Sequence, residues 1–323
     1  MPNQPLPPSD HLSSNATGTS RPFSDFVETL EYRRFAEFCE DCREYRYIGL
    51  CYGTPGVGKT LSARRISLAD KVERHNPWYD EPIYGLPIDT AFYTPPVLNT
   101  PSQIAAGILE VTEKLSSFAR SPLSRQAEIA LDNVRLREEN YRRAHEHRIG
   151  YDPFATCTPL EPTYKQVLQH YEDKKRAIGN PTTLLLIDEA DRLRINSLEQ
   201  VRSLFDVSHV GVVLIGMPGI EKRMARYPQL YSRIGFVHEY RTISTEEVRR
   251  LLDRHWTPLG VTLPDTSPAE EATAAILRIT GGNFRLLNRL LTQIERILKI
   301  NGLPEISKEV VEAARESLVI GSL

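Results

Sequence analysis

Eight consecutive residues, Gly53-Thr54-Pro55-Gly56-Val57-Gly58-Lys59-Thr60, follow the order glycine, four free positions, glycine, lysine and a hydroxyl residue. Glycines let the backbone curl until several N–H groups face one point, and a helix that follows adds the positive end of its dipole, so such a segment cradles phosphates. Lys59 would bridge the β- and γ-phosphates, and Thr60 would place its hydroxyl on Mg²⁺. The opposite charge comes from Asp188 and Glu189, which end the apolar run Leu184-Leu185-Leu186-Ile187. Asp188 is suited to the Mg²⁺ shell, and Glu189 to drawing the proton from an attacking water. Arg233, within Gln229-Leu230-Tyr231-Ser232-Arg233-Ile234, and Arg285, after Gly281-Gly282-Asn283-Phe284, carry planar, permanently charged groups that suit a γ-phosphate. Together these types fit Mg²⁺-dependent hydrolysis of a nucleoside triphosphate.

That chemistry needs a scaffold that delivers the glycine-rich loop and the carboxylates to one edge. Short apolar runs at Tyr47 to Tyr52, Thr90 to Tyr93, Leu184 to Ile187, Val212 to Ile215 and Val237 to Tyr240 read as five strands. Helical patterns separate them, beginning with an amphipathic stretch from about Asp25 to Tyr45. Strands alternating with helices, with core runs apolar throughout, indicate a parallel sheet covered on both faces. Thr100 is placed as an N-cap with Pro101 at the first helical position, and that helix is expected to end near Leu115. Residues 116–163 read as an insertion, because Pro122, Pro153, Pro159 and Pro162 flank a charged helical stretch from Arg125 to Arg148. Helices are expected at 165–178 and 197–207. From Thr245 onward only helices appear, near 245–256, 268–279, 284–300 and 307–318. The expected division is a disordered tail over 1–22, a nucleotide-binding α/β domain over 23–243 and a small all-helical lid over 244–323.

Composition limits the alternatives. The chain has 323 residues, enough for two domains of roughly 100 to 200 residues each. Its longest charge-free apolar stretch, Val210 to Ile220, is far shorter than the roughly 20 residues of a membrane-spanning helix. No apolar run in the first 20 residues could act as a secretory signal, and four cysteines (Cys39, Cys42, Cys51, Cys157) do not make a disulfide scaffold. These features lead us to expect a cytoplasmic protein. Cys39 and Cys42 lie at helical spacing on an apolar face, which makes them core residues and not zinc ligands. With 40 basic and 42 acidic residues the net charge is −2, so the chain has no bulk attraction to nucleic acid. Between Arg120 and Arg148 seven arginines meet five acids, the usual composition of a solvated, ion-paired helix face.

The loop GTPGVGKT, the strand LLLIDEAD, the segment QLYSRI and the helix start GGNFR together resemble the AAA+ ATPases, in this order, over about residues 30 to 320. In that superfamily the matching positions are Walker A, Walker B, an arginine finger acting across a subunit interface, and sensor 2. Arg233 is then the finger and Arg285 the sensor, both serving catalysis with Lys59 and Glu189. The resemblance implies ATP and Mg²⁺ as cofactors, with the nucleotide held by Gly53, Thr54, Pro55, Gly56, Val57, Gly58, Lys59, Thr60, Leu61 and Arg285, and the metal by Thr60 and Asp188. The usual polar residue after the fourth strand is missing from Ile215-Gly216-Met217-Pro218, which implies slow hydrolysis. Within the superfamily the chain is similar to transposition regulators of the MuB, TniB and TnsC type. The similarity runs through FAEFCEDCREYRYIGLCYGTPGVGKTLSARR, LLLIDEADRLRINSLEQVRSLFD and VGVVLIGMPGIEKRM.

The narrower resemblance implies an ATP-dependent homo-oligomer, a ring or filament, that coats double-stranded DNA without sequence preference and recruits or activates a transposase. DNA contacts are expected between about Val97 and Arg125. Two other classes fit the same motifs. One is a nucleotide-gated signalling or defence switch whose output is oligomerisation without DNA. The other is a replication initiator or helicase loader, although no helix-turn-helix follows the last helices.

Overall fold

An apolar run without polar alternation has two faces to bury, and only a sheet covered on both sides can bury them. The computed structural model describes residues 26–76, 88–146, 161–256 and 267–318. The expected tail over 1–22 and parts of the 116–163 stretch lie outside the described residues. In chain order the elements are α1 (Leu30–Tyr45), β1 (Ile48–Tyr52), α2 (Lys59–Ile66), α3 (Ala69–Arg74), β2 (Thr90–Tyr93), α4 (Pro101–Glu146), α5 (Tyr164–Ile178) and β3 (Leu184–Ile187). They continue with a 3₁₀ turn at Ala190–Arg192, α6 (Ile195–Ser208), β4 (Gly211–Gly216), α7 (Ile220–Met224), α8 (Pro228–Tyr231), β5 (Ile234–Glu239), α9 (Thr245–Trp256), α10 (Ser267–Thr280), α11 (Phe284–Asn301) and α12 (Lys308–Glu316).

The five strands form one parallel sheet in the order β2-β3-β4-β1-β5. Successive residues of β3 and β4 alternate between two cores. Leu185, Ile187, Val212 and Leu214 pack with Ile104 and Leu198 on one face, and Leu184, Leu186, Val213 and Ile215 pack with Phe35, Phe38, Cys39 and Cys42 on the other. The cysteines of α1 are therefore core residues, and burial pushes the Cys42 thiol up to about 12. β5 differs from the other four. Its burial alternates along its length, and it starts at Ile234 and not at the expected Val237, because its pairing with β1 begins at Ile48 opposite Ile234.

α4 overturns one expectation. It does not end near Leu115 but runs for 46 residues through Pro122. A mid-helix proline removes the hydrogen bond to the carbonyl four residues back and costs roughly 3 kcal/mol. Here the Ser121 hydroxyl donates to that orphaned Phe118 carbonyl at 2.8 Å. Leu115, Phe118, Ala127 and Val134 are buried along the same helix, so packing also holds it together. Its start matches the sequence: Thr100 Oγ1 accepts from Gln103 N, ahead of Pro101.

The chain divides into two compact units. The first comprises residues 28–247 and 281–285 and contains the whole sheet. The second is helical in its described residues, where Ala272, Ala275 and Ile276 of α10, Leu287, Leu290, Leu291, Ile294 and Leu298 of α11, and Val310, Val311 and Ala314 of α12 are buried. These positions recur at three and four residues, the apolar stripe of a packed helix.

Candidate nucleotide site at the carboxyl edge of the sheet

β1 ends at Tyr52, and the chain then turns through Gly53–Gly58 into α2. The turn needs left-handed backbone at two points, Gly56 (φ 85°) and Gly58 (φ 118°), where a side chain would be strained. Gly56 has a second reason: a Cβ there would lie 2.7 Å from Asn283 Oδ1 and 2.9 Å from Arg285 Cβ. The GGNFR segment closes on the loop from the other side. Arg285 N donates to Gly56 O at 3.0 Å, and Asn283 Nδ2 donates to Pro55 O at 2.7 Å. This places the exposed Arg285 side chain beside the loop, close enough that its charge bears on Lys59.

Lys59 is buried and donates to the carbonyls of Gly53 (2.5 Å) and Thr54 (3.0 Å). Burial lowers its pKa, with the charges of Cys51, Asp188 and Asp191 acting against that shift and Arg285 reinforcing it. Thr60 and Leu61, in the first turn of α2, are exposed. Beneath the loop Tyr240 Oη and Ser62 Oγ lie 2.8 Å apart, and burial raises the phenol pKa to about 12.

Asp188, buried at the end of β3, accepts from Glu189 N at 2.9 Å. Glu189 has a left-handed backbone (φ 51°), an uncommon conformation for a non-glycine residue and one that concentrates at functional sites. Its carboxylate forms an ion pair with Arg192, which also donates to Pro95 O at 3.1 Å. The loop after β2 is tied to the same segment, since Asn99 Nδ2 donates to Arg192 O at 2.9 Å and Ser197 Oγ donates to Asn99 Oδ1 at 2.6 Å.

The end of β4 is tied to the segment after β3 by a carboxylate. Asp191 Oδ2 accepts from Met217 N at 2.7 Å, and a Cβ on Gly216 would lie 2.7 Å from the same oxygen. Sequence reading missed Asp191, Arg192 and Asn283. Asp191 stands in the LLLIDEAD run and Asn283 in GGNFR, so each was visible as a polar residue beside an assigned one. Only the fold shows what they touch.

Arg233 stands apart from this set. Ile48 N donates to Arg233 O at 3.0 Å, which places Arg233 beside the first residue of β1, while the loop follows the last. At about 3.3 Å per residue, roughly 15 Å of strand separates Arg233 from its own Gly53, more than one arginine side chain spans. The structure therefore brings together Gly53–Leu61, Asp188, Glu189 and Arg285 at one edge and leaves Arg233 at the other.

Several arginines of α4 are engaged within the chain. Arg120 donates to Gly179 O at 2.6 Å, Arg125 pairs with Glu128 at 2.7 Å and Arg137 donates to Glu161 O at 2.9 Å. Among the described residues, no helix is long and apolar enough to cross a membrane and no group of three or more His, Cys, Asp or Glu side chains is placed to hold a metal ion.

Residues 42–224 match the AAA domain family. A "Potential ATP-binding protein" of Staphylococcus aureus is 40% identical over 305 residues, covering 92% of this chain and 97% of its own length. Among solved structures, the Aeropyrum pernix ORC2 protein in its ADPNP-ADP complexes aligns with a TM-score of 0.50 at 15% identity, over 94% of this chain and 72% of that one. The Thermotoga maritima RuvB Holliday junction branch migration motor aligns with a TM-score of 0.46 at 16% identity, over 90% and 69%. The family match spans more than half of the sequence and includes the glycine-rich loop, the acidic strand end and the five-stranded sheet up to β4, so the chain belongs to the AAA domain family and has the fold of a P-loop ATPase.

Proposed function

We propose that the protein binds ATP and Mg²⁺ and hydrolyses ATP at sites shared between neighbouring copies of itself, assembled on double-stranded DNA. There it would mark target DNA and recruit or activate a transposase, working in the cytoplasm. The observation that carries the shared site is the separation of Arg233 from its own phosphate loop by the length of β1. A guanidinium that cannot reach its own site can still serve the site of a neighbour.

The residues at the carboxyl edge fit the nucleotide and metal. Backbone N–H groups of Gly56 to Lys59 and the start of α2 form an anion cradle, and Lys59 has only carbonyl partners in the chain to give up. Thr60 and Asp188 offer the hydroxyl and carboxylate oxygens that Mg²⁺ prefers. When bound, Mg²⁺ neutralises charge on the phosphate oxygens. Glu189 takes the proton of the attacking water once its carboxylate parts from Arg192, so the ion pair supports slow basal turnover. Arg285 steadies the phosphates from the same chain, and Arg233 of the neighbouring copy completes the site.

The DNA and transposase parts of this reading rest on the resemblance to the MuB, TniB and TnsC type. A second reading, a nucleotide-gated oligomer without DNA, has one observation in its favour: Lys114, Arg120 and Arg125, basic residues of the expected DNA-facing stretch, each have partners in the chain.

Mixing two inactive variants tests the shared site. A Lys59→Ala chain has lost its own site but keeps Arg233, and an Arg233→Ala chain has an intact site without the finger. The mixture should regain a substantial share of ATP hydrolysis, since arginine fingers are worth about 10³ to 10⁵ in rate. No recovery at any mixing ratio would refute the shared site.

A further inference from the structure

Arg233 is already held in position for its proposed task. Its guanidinium lies side-on against the Asp206 carboxylate of α6, with Nε to Oδ1 at 2.8 Å and Nη2 to Oδ2 at 2.9 Å. Its far end is held differently: Nη1 donates to Gln229 O at 2.6 Å and to Ser232 Oγ at 3.1 Å. The strong, charged acceptor thus occupies the side edge, and weak neutral acceptors occupy the end edge. A phosphate dianion exchanges readily with a carbonyl and a hydroxyl but not with a bidentate carboxylate. The side chain is also accessible, being about one third exposed.

We propose that Asp206 is a positioning residue that aims the Nη1 edge of Arg233 at the γ-phosphate bound by a neighbouring copy. This rests on the reading that Arg233 acts in trans. Pre-alignment removes the cost of ordering a long, flexible side chain at the moment of reaction. Asp206 is itself steadied from within the chain. Arg202, one turn earlier on α6, pairs with the same carboxylate and also with Glu199, which holds Asp206 in place while it grips Arg233. The resulting cluster, Glu199–Arg202–Asp206–Arg233, carries two charges of each sign. The Arg233 partnership in turn holds the Asp206 carboxyl below its usual pKa.

The mixing assay separates a positioning role from a structural one, because finger and site then sit on different chains. The donor chain carries Lys59→Ala and the acceptor chain carries Arg233→Ala. Adding Asp206→Ala to the donor should lower turnover at saturating ATP roughly 10- to 100-fold, the scale of a misplacement of about 1 Å, while the KM for ATP stays unchanged. Added to the acceptor, where no Arg233 remains to be held, it should change turnover by less than about twofold. Asp206→Glu in the donor keeps the charge and should restore part of the loss, whereas Asp206→Asn should not. Equal losses in donor and acceptor would mean that Asp206 only supports the fold, and no loss in the donor would mean that it does not aim Arg233. Either result overturns the proposal while the shared site stands. Failure of the unmodified pair to recover overturns the shared site, and the role of Asp206 with it.

Discussion

Lys59 and Glu189 flank the same candidate site but should fail in different ways. Lys59 is the buried cation of the loop, so Lys59→Ala should abolish detectable nucleotide binding. Glu189→Gln keeps the cradle and removes only the proton acceptor, so it should bind ATP at near-normal affinity while turnover falls about 10²- to 10⁴-fold, measured by titration of labelled ATP and phosphate release. Parent-rate hydrolysis by Glu189→Gln would remove Glu189 from its role as base. His238 adds a pH dependence of its own. His238 is packed among Phe35, Phe38 and Tyr240, with Glu31 4.0 Å away, and its Nε2 is buried without a hydrogen-bond partner. Burial lowers its pKa from 6.5, Glu31 and Glu239 oppose the shift, and Arg34 and Arg241 add to it. Since the folded ring resists protonation, the unfolded chain takes up the proton first as pH falls below 6.5, and stability declines from there until the folded ring also titrates. His238→Phe should therefore flatten the fall in the urea midpoint between about pH 6.5 and pH 5. An unchanged slope would place the acid sensitivity elsewhere.

Among the elements, α4 shows how a helix carries a residue that should break it. The Ser121 hydroxyl takes over the Phe118 carbonyl that Pro122 cannot serve. Replacing Pro122 with Ala restores an N–H for that carbonyl and should raise stability by about 1 to 3 kcal/mol in urea unfolding. Ser121→Ala should cost about 1 kcal/mol in the parent, where the carbonyl loses its partner, and much less beside Pro122→Ala. Additive effects would show that the two residues do not share the carbonyl. The length of α4 also sets the charge pattern of the region, because arginines spaced along one continuous helix meet acids three and four residues away, as in Arg125–Glu128 and Arg143–Glu139. This is the solvated, ion-paired face that the mixed charge of the sequence predicts.

Across the molecule the net charge of −2 offers duplex DNA no bulk attraction, so the DNA binding proposed above would have to come from assembly. Repeating one small basic patch along a duplex lets weak contacts add as the oligomer grows. Duplex binding should therefore appear with a non-hydrolysable ATP analogue and not with ADP, be equal for two unrelated sequences, and fall steeply with salt, as read by fluorescence anisotropy. Equal binding in all nucleotide states would refute assembly-dependent affinity. Nucleotide-dependent assembly with no duplex binding would establish the DNA-free switch instead.

The glycine-rich loop, the acidic strand end and most of the sheet are legible along the chain alone. Each of these depends on a short local pattern: glycines where the backbone must curl, and four to six apolar residues where a strand is covered on both faces. β2 and β3 fall at Thr90–Tyr93 and Leu184–Ile187, the residues expected from such runs. The rest depends on partners far apart in the chain and emerges only once it has folded. Parallel pairing of β5 with β1 sets Arg233 at the amino end of β1, away from its own loop, the same pairing starts β5 at Ile234, and the Ser121 hydroxyl takes over the carbonyl that Pro122 leaves inside the continuous α4. Asp191 at the end of β4, Arg192 on Glu189 and Asp206 on Arg233 follow the same rule. A carboxylate or guanidinium looks alike in sequence wherever it stands, and its role is fixed by which opposite charge the fold sets against it.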